Sequence, residues 1–329
     1  MEMREALDQF STEQTDVLGY FGLIDKNGYE ELCAILEGLG AERKKQVLLY
    51  LCTGGGNPNA GYRIARALIH HYGADNFRVA IPAECKSACT LICIGASSLI
   101  MCDQGELGPL DIQFQKQDEI FQQSSGLDIL RGMTYLQGEA LSTFNKYLLD
   151  INGGSGLSTK VASEIASRLV MGMYEPMYSQ IDSIRLGEMN AALQIAHEYG
   201  TRLGEKSKSL KPNALSKLIN DYPAHGFVID RAEARTLFNS IVSPKPHEKI
   251  LATLARDVLW RKSQNSASSV LDLSKLLAPF FPKVNVNATQ DINPTSDSID
   301  KPDAVASDGN KESGQLAPGD AAQRPSDEG

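Results

Sequence analysis

Between Asp16 and Cys102 two hydrophobic patterns alternate along the chain. Asp16–Ile24, Gln46–Leu51, Phe77–Pro82 and Leu99–Cys102 are short apolar runs. Tyr29–Leu39, Ala60–His71 and Ser87–Ala96 instead carry apolar residues at three- and four-residue spacing. The first pattern predicts strands and the second predicts helices. A near-continuous run such as Gln-Val-Leu-Leu-Tyr-Leu fits a strand covered on both faces, as in a parallel sheet. Strand, helix, strand, helix, strand at this spacing is a βαβ series, so the chain reads as an α/β protein. Lys26-Asn27-Gly28 reads as a turn, and Gly40 as the C-cap of the first helix.

Beyond Leu127 the pattern is almost wholly helical to Arg202, with a break expected at Asn152–Gly156. Pro212–Ile219, Arg231–Phe238 and His247–Arg261 are further helices by the same spacing. After Pro282 the aromatics vanish and Asp, Ser, Pro, Gly and Asn dominate. Such a segment cannot bury enough surface to offset its ordering entropy, so it is expected to be disordered. The layout expected is an N-terminal arm (1–15), an α/β domain (16–245), a helical extension (246–282) and an acidic tail (283–329).

Charge changes this picture only at the tail. The net charge is −9 over 329 residues. From Asn287 to Gly329 nine acids face three bases, so six of those negative charges sit there. The rest is close to neutral and has no basic or adenine-binding cluster in its sequence. Nucleic acid and anionic membranes reward clustered Lys and Arg, which argues against both as partners. No run approaches the ~18 apolar residues of a membrane span. Met1–Asp16 is charged and has no apolar core of a leader, so a cytoplasmic location is expected. The cysteines are then expected to be reduced. Cys85, Cys89 and Cys93 recur every four residues, like small hydrophobes on one helix face. They lack the Cys-x-x-Cys spacing of a metal site, and no metal or cofactor is expected.

Two features carry chemistry. Thr53-Gly54-Gly55-Gly56-Asn57-Pro58 follows a strand and opens a helix. It fails as a dinucleotide loop, because the sixth position of G-x-G-x-x-G is Asn59 and Pro58 lacks a donor. Glycines there can instead bring backbone N–H groups close to a developing negative charge, as an oxyanion hole does. The second feature is Ser87, at a helix start just after a strand. A hydroxyl there serves equally as an N-cap.

The order of these parts carries a resemblance. Thr53–Gly61 resembles the Gly-rich loop of the Clp proteolytic subunit and of signal peptide peptidase A. Lys86-Ser87-Ala88-Cys89-Thr90-Leu91, Gly95-Ala96 and Gly105-Glu106-Leu107-Gly108-Pro109-Leu110-Asp111 resemble the serine dehydrogenase proteinase family, a group with the Clp/crotonase fold. His225-Gly226-Phe227-Val228-Ile229-Asp230 is similar to that family's His-Asp-Tyr-Pro segment, with Gly226 in place of Asp. Gly54 also departs, since the peptidases usually have Pro there.

The resemblance implies a serine peptidase on a Clp/crotonase-type parallel sheet. It implies Ser87 as nucleophile and the N–H groups of Gly55 or Gly56 and of Ala88 as oxyanion donors. His225 is the first choice of base and Asp111 of orienter, with Asp221 a weaker orienter. A Ser-Lys dyad competes, with Lys86 its nearest amine and Lys146 and Lys160 unmotivated by any pattern. Peptide substrates and a homo-oligomer are the expected partners. An acyl-CoA enzyme of the same fold, or an inactive peptide-binding module, are the alternatives.

Overall fold

The period-two alternation within each apolar run decides which side chain reaches which face of the sheet. In the computed structural model, residues 2–110, 113–115, 123–261 and 268–280 are described. Strands β1 (Thr15–Phe21), β2 (Gln46–Cys52), β3 (Phe77–Ile81), β4 (Glu84–Cys85), β5 (Ser98–Met101), β6 (Glu106–Leu107), β7 (Gln113–Gln115), β8 (Gln123–Ser125), β9 (Ile241–Val242) and β10 (Ser269–Asp272) follow in chain order. Six of them form one sheet in the order β10-β1-β2-β3-β5-β9. All its pairs are parallel except β10, which runs antiparallel on the β1 edge. The βαβ expectation holds, and the protein is an α/β fold with a mainly parallel sheet.

Val47, Leu49, Leu51, Val79, Ile81, Leu99 and Met101 point to one face, and Leu48, Tyr50, Cys52, Ala80 and Ile100 to the other. All are buried. Both faces are covered, which is why the strands read as continuous runs rather than as alternating ones. Helices α2 (Lys26–Leu39), α3 (Pro58–Tyr72) and α4 (Ala88–Ile94) cover the first face. The second face is covered by α1 (Met3–Thr12), α10 (Pro246–Leu254), a π-helical turn (Ala255–Trp260) and α11 (Leu273–Leu277). Each fully buried Leu or Ile contributes roughly 1.5–3 kcal/mol. Residues 3–12 thus form an amphipathic helix that buries Ala6, Leu7 and Phe10. Residues 269–272 add an edge strand whose pairing partner lies some 250 residues upstream, which local pattern cannot reveal.

Two turn expectations shift. Lys26-Asn27-Gly28 is the first turn of α2, because the Asp25 side chain caps it by accepting from the Gly28 N–H at 2.8 Å. Asn152–Gly154 lie in the last turns of α5 (Gly126–Ser155), and the chain breaks only at Gly156, whose φ is +67°. Ser158 then caps α6 (Thr159–Tyr178), which is followed by α7 (Ser183–Ser207), α8 (Ala214–Asn220) and α9 (Arg231–Leu237). No described helix is long and apolar enough to cross a membrane. Asp111 and the acidic tail (283–329) lie outside the described residues.

Candidate active site

At the carboxyl ends of β1, β2 and β3 the chain turns into a second, smaller ladder. Ile24 bridges Gly56, Thr53 bridges Cys85, β4 pairs with β6, and Leu107 bridges Ile229. The bonds are specific. The Ile24 N–H donates to Gly55 O at 2.9 Å, the Lys86 N–H to Thr53 O at 3.1 Å and the Gly108 N–H to Cys85 O at 3.0 Å. The Ile229 N–H donates to Leu107 O at 2.9 Å. The glycine loop, the residues before Ser87 and the segment after His225 are therefore stitched side by side. Sites in parallel α/β sheets form at these carboxyl ends.

Ser87 sits between β4 and α4 with φ +53° and ψ −117°. That is a left-hand-side backbone for an L-residue, which costs about 1–3 kcal/mol. Ser87 occupies the N-cap position, yet its side chain makes no capping hydrogen bond. The N-cap role that position alone suggested is therefore not the one its hydroxyl plays. A serine on a strained strand-to-helix turn has the backbone setting of a nucleophile elbow. Ser87 is half-buried and lines a small apolar recess with Pro58, Ala88, Leu91, Leu110 and Ala196.

The glycine loop is pressed against this turn. Gly55 has φ +115°, and a Cβ on it would lie 2.9 Å from Ser87 Cβ and 3.0 Å from Lys86 O. Only glycine permits that approach. The Gly55 N–H is held by Thr53 Oγ1 at 3.0 Å. In the neighbouring bridge Ile24 uses both of its backbone groups, on Gly55 and on Asn57, so the Gly56 N–H faces away from Ile24. Ala88 is the first residue of α4, where a backbone N–H has no partner within its own helix.

Lys86 turns its amine into the β4–β6 ladder. Its side chain is 4% exposed and its Nζ meets Glu106 Oε1 at 2.8 Å. It also donates to Phe227 O at 3.1 Å and Leu107 O at 3.4 Å. Three acceptors around a buried amine make it a structural cation that ties the His225 segment to β4 and β6. Thr90 Oγ1 adds a bond to Gly108 O at 2.7 Å.

His225 is half-buried in the loop between α8 and α9. Arg131 organises that loop: its guanidinium donates to the carbonyls of Asn220 (2.9 Å), Tyr222 (2.6 Å) and Pro223 (3.0 Å). The Tyr222 ring packs 5.0 Å from that of Phe227, and its hydroxyl donates to Glu233. Asp221 is exposed at the end of α8, and Lys146 and Lys160 are exposed on α5 and α6. Neither Arg131 nor Glu106 stood out in the sequence, since each meets its partners across 20 or more residues of chain with no local pattern.

The cysteines differ from expectation. Cys85 and Cys89, flanking Ser87, are joined in a disulfide rather than reduced. Cys85 lies in β4 and only Cys89 and Cys93 share a helix, so the four-residue recurrence was not one helical stripe. Cys93 Sγ lies 3.5 Å from Cys85 Sγ. Burial pushes the Cys93 thiol up, keeping it protonated and slow to exchange with the disulfide. Among the described residues no group of His, Cys, Asp and Glu is placed to hold a metal ion.

No family model and no curated protein matches this chain. Solved structures do. A serine-to-alanine variant of the 1510-N membrane-bound stomatin-specific protease is 14% identical, with a TM-score of 0.29, over 46% of this chain and 68% of that one. A lysine-to-alanine variant of the same protease, in complex with a substrate peptide, is 13% identical, with a TM-score of 0.30, over 73% of this chain and 97% of that one. Likenesses this distant carry no argument about chemistry, which rests on the site's own geometry.

Proposed function

We propose that the protein is a serine peptidase of Clp/crotonase type, with Ser87 as nucleophile. One observation carries the reading: a serine held at φ +53° without capping its helix, against a loop that only Gly55 can bring so close. Strain of this kind persists where function requires it. Ser87 Oγ attacks a peptide carbonyl and His225 takes its proton. His225 returns that proton to the leaving amine, and water then hydrolyses the acyl-enzyme. The N–H groups of Ala88 and Gly56 hold the oxyanion; Gly55, already engaged with Thr53, shapes the loop instead. The place of His225, four residues before the Ile229 bridge, supports it as base over Lys86. Asp111, three residues after Gly108, is the proposed orienter. Exposed Leu141, Leu149, Met171 and Met173 on α5 and α6 support a homo-oligomer.

The test is labelling by a fluorophosphonate probe. Labelling should vanish in Ser87→Ala and slow by at least about 100-fold in His225→Gln, the scale of a lost general base. It should stay within about 10-fold in Lys86→Met. Labelling of Ser87→Ala would refute the nucleophile. Abolition in Lys86→Met with His225→Gln unaffected would hand the base role to a lysine. An acyl-CoA enzyme is the second reading. It is favoured by one observation: Lys26, Arg63 and Arg66 converge beside the glycine loop, a basic cluster absent from the linear sequence.

A further inference from the structure

That convergence is an open recess of about 360 Å³ formed where α2 meets α3. Lys26, Arg63 and Arg66 supply three cations to its walls, and no acid lines it. Lys26 reaches Glu30 at 3.3 Å, but both side chains are mostly exposed and that contact is readily exchanged. Among the described residues no carboxylate lies within ion-pair distance of Arg63 or Arg66. The two arginines sit three apart on one helix face, where like charges repel. The fold thus keeps two arginines here without an ion-pair partner among the described residues.

The aromatic walls decide what that cluster suits. The Arg63 guanidinium lies 5.7 Å from the centre of the Tyr29 ring, and that of Arg66 lies 5.7 Å from Tyr62. Tyr62 stacks on Tyr199 at 4.1 Å and 5°, and the Tyr199 hydroxyl donates to Asn59 Oδ1 at 2.7 Å. The rings hold the guanidiniums in place while leaving their planar N–H forks available. Tyr62 has both the Arg66 guanidinium and the Tyr199 ring against it, which leaves it little room to stack on a base. A carboxylate fits this recess better than a nucleotide does.

Its position gives the carboxylate a source. Asn57, Asn59 and Ala60 line the basic recess, while Pro58 in the same turn lines the apolar recess at Ser87. The two recesses share one turn, so a peptide whose carbonyl reached Ser87 would place neighbouring side chains toward Arg63 and Arg66. We propose that this basic, tyrosine-walled recess is a subsite for acidic side chains of the peptide substrate. The proposal rests on the peptidase reading.

The test uses the full chain carrying Ser87→Ala and two fluorescein-labelled octapeptides that differ only in a central Glu-Glu or Gln-Gln pair. Anisotropy at low salt should show the acidic peptide binding at least about 10-fold tighter. Adding Arg63→Gln and Arg66→Gln should reduce that preference to under about two-fold. Both arginines are exposed, so the double variant should keep the circular-dichroism spectrum and melting temperature of its parent. Equal binding of the two peptides overturns the proposal, as does a preference that survives the double substitution. Displacement of the acidic peptide by coenzyme A, lost in the same double variant, overturns it in favour of an acyl-CoA ligand. Acid-selective binding without probe labelling would retain the recess and sink the peptidase reading; labelling without selectivity would do the reverse.

Discussion

Glycine in place of Ser87 should leave a more stable protein than alanine does, and neither variant should keep the proposed chemistry. Ser87 holds φ +53° and ψ −117°, where a Cβ crowds its own backbone. Relief of that crowding is worth about 1–3 kcal/mol. Glycine's extra freedom in the unfolded chain takes back about 0.4–1 kcal/mol. The net gain over an alanine variant lies between about zero and 2.6 kcal/mol, centred near 1.3. Alanine is the right reference because it also loses the hydroxyl but keeps the strain. No side-chain cap joins Ser87 to α4, so capping does not enter the difference. Urea and thermal unfolding of Ser87→Gly and Ser87→Ala measure it, and a gain near 1.3 kcal/mol raises Tm by about 2 °C in a chain of this length. Neither variant should label with a fluorophosphonate. A glycine variant less stable than the alanine variant would refute the strained-elbow argument.

Lys86→Met should destabilise by about 2–3 kcal/mol in urea titrations, because Phe227 O loses its donor and the Glu106 carboxylate its cation. Glu106 is partly solvated and recovers some hydration, so a loss well beyond that range would mean the lysine holds more than these contacts. Acid should loosen α1. Burial works against the Glu13 carboxylate, but the Lys245 hydrogen bond and the nearby His247 and Lys245 outweigh it and hold Glu13 below the ordinary 4.5. A depressed carboxylate stabilises the fold above its unfolded pKa and stops doing so as pH falls through its folded one. The stability gap between wild type and Glu13→Gln should therefore be constant near neutral pH and close below about pH 4.5. A gap unchanged from pH 7 to pH 3 would contradict the sign of that shift.

The α/β class was legible in the sequence because a doubly covered parallel strand leaves a plain signature, a short continuous apolar run. Ser87 and the glycine loop were legible for a similar reason: strand-loop-helix junctions are local, and Gly55 and Ser87 each fall at one. The long-range partners were not. Glu106 and Phe227 meet Lys86 only because β4, β6 and the Ile229 segment join in one ladder, and nothing in the residues around Lys86 announces it. That ladder surrounds the Lys86 amine with three acceptors. It also placed Cys85 in a strand and Cys89 in a helix, close enough to bond, where four-residue spacing suggested one face.

The basic recess makes the same point about charge. Lys26 is separated from Arg63 and Arg66 by the length of α2, a strand and the first turns of α3, so composition shows a near-neutral folded region with no cluster. Packing α2 against α3 brings the three together and walls them with tyrosines. Hydrophobic period and local backbone demands are short-range, and the sequence alone determined what depends on them: strands β1, β2, β3 and β5, most helices, the glycine loop and the serine at the turn. Electrostatic environment depends on distance through space, so only the tertiary structure decided what Lys86 does, how Ser87 is strained and where positive charge gathers.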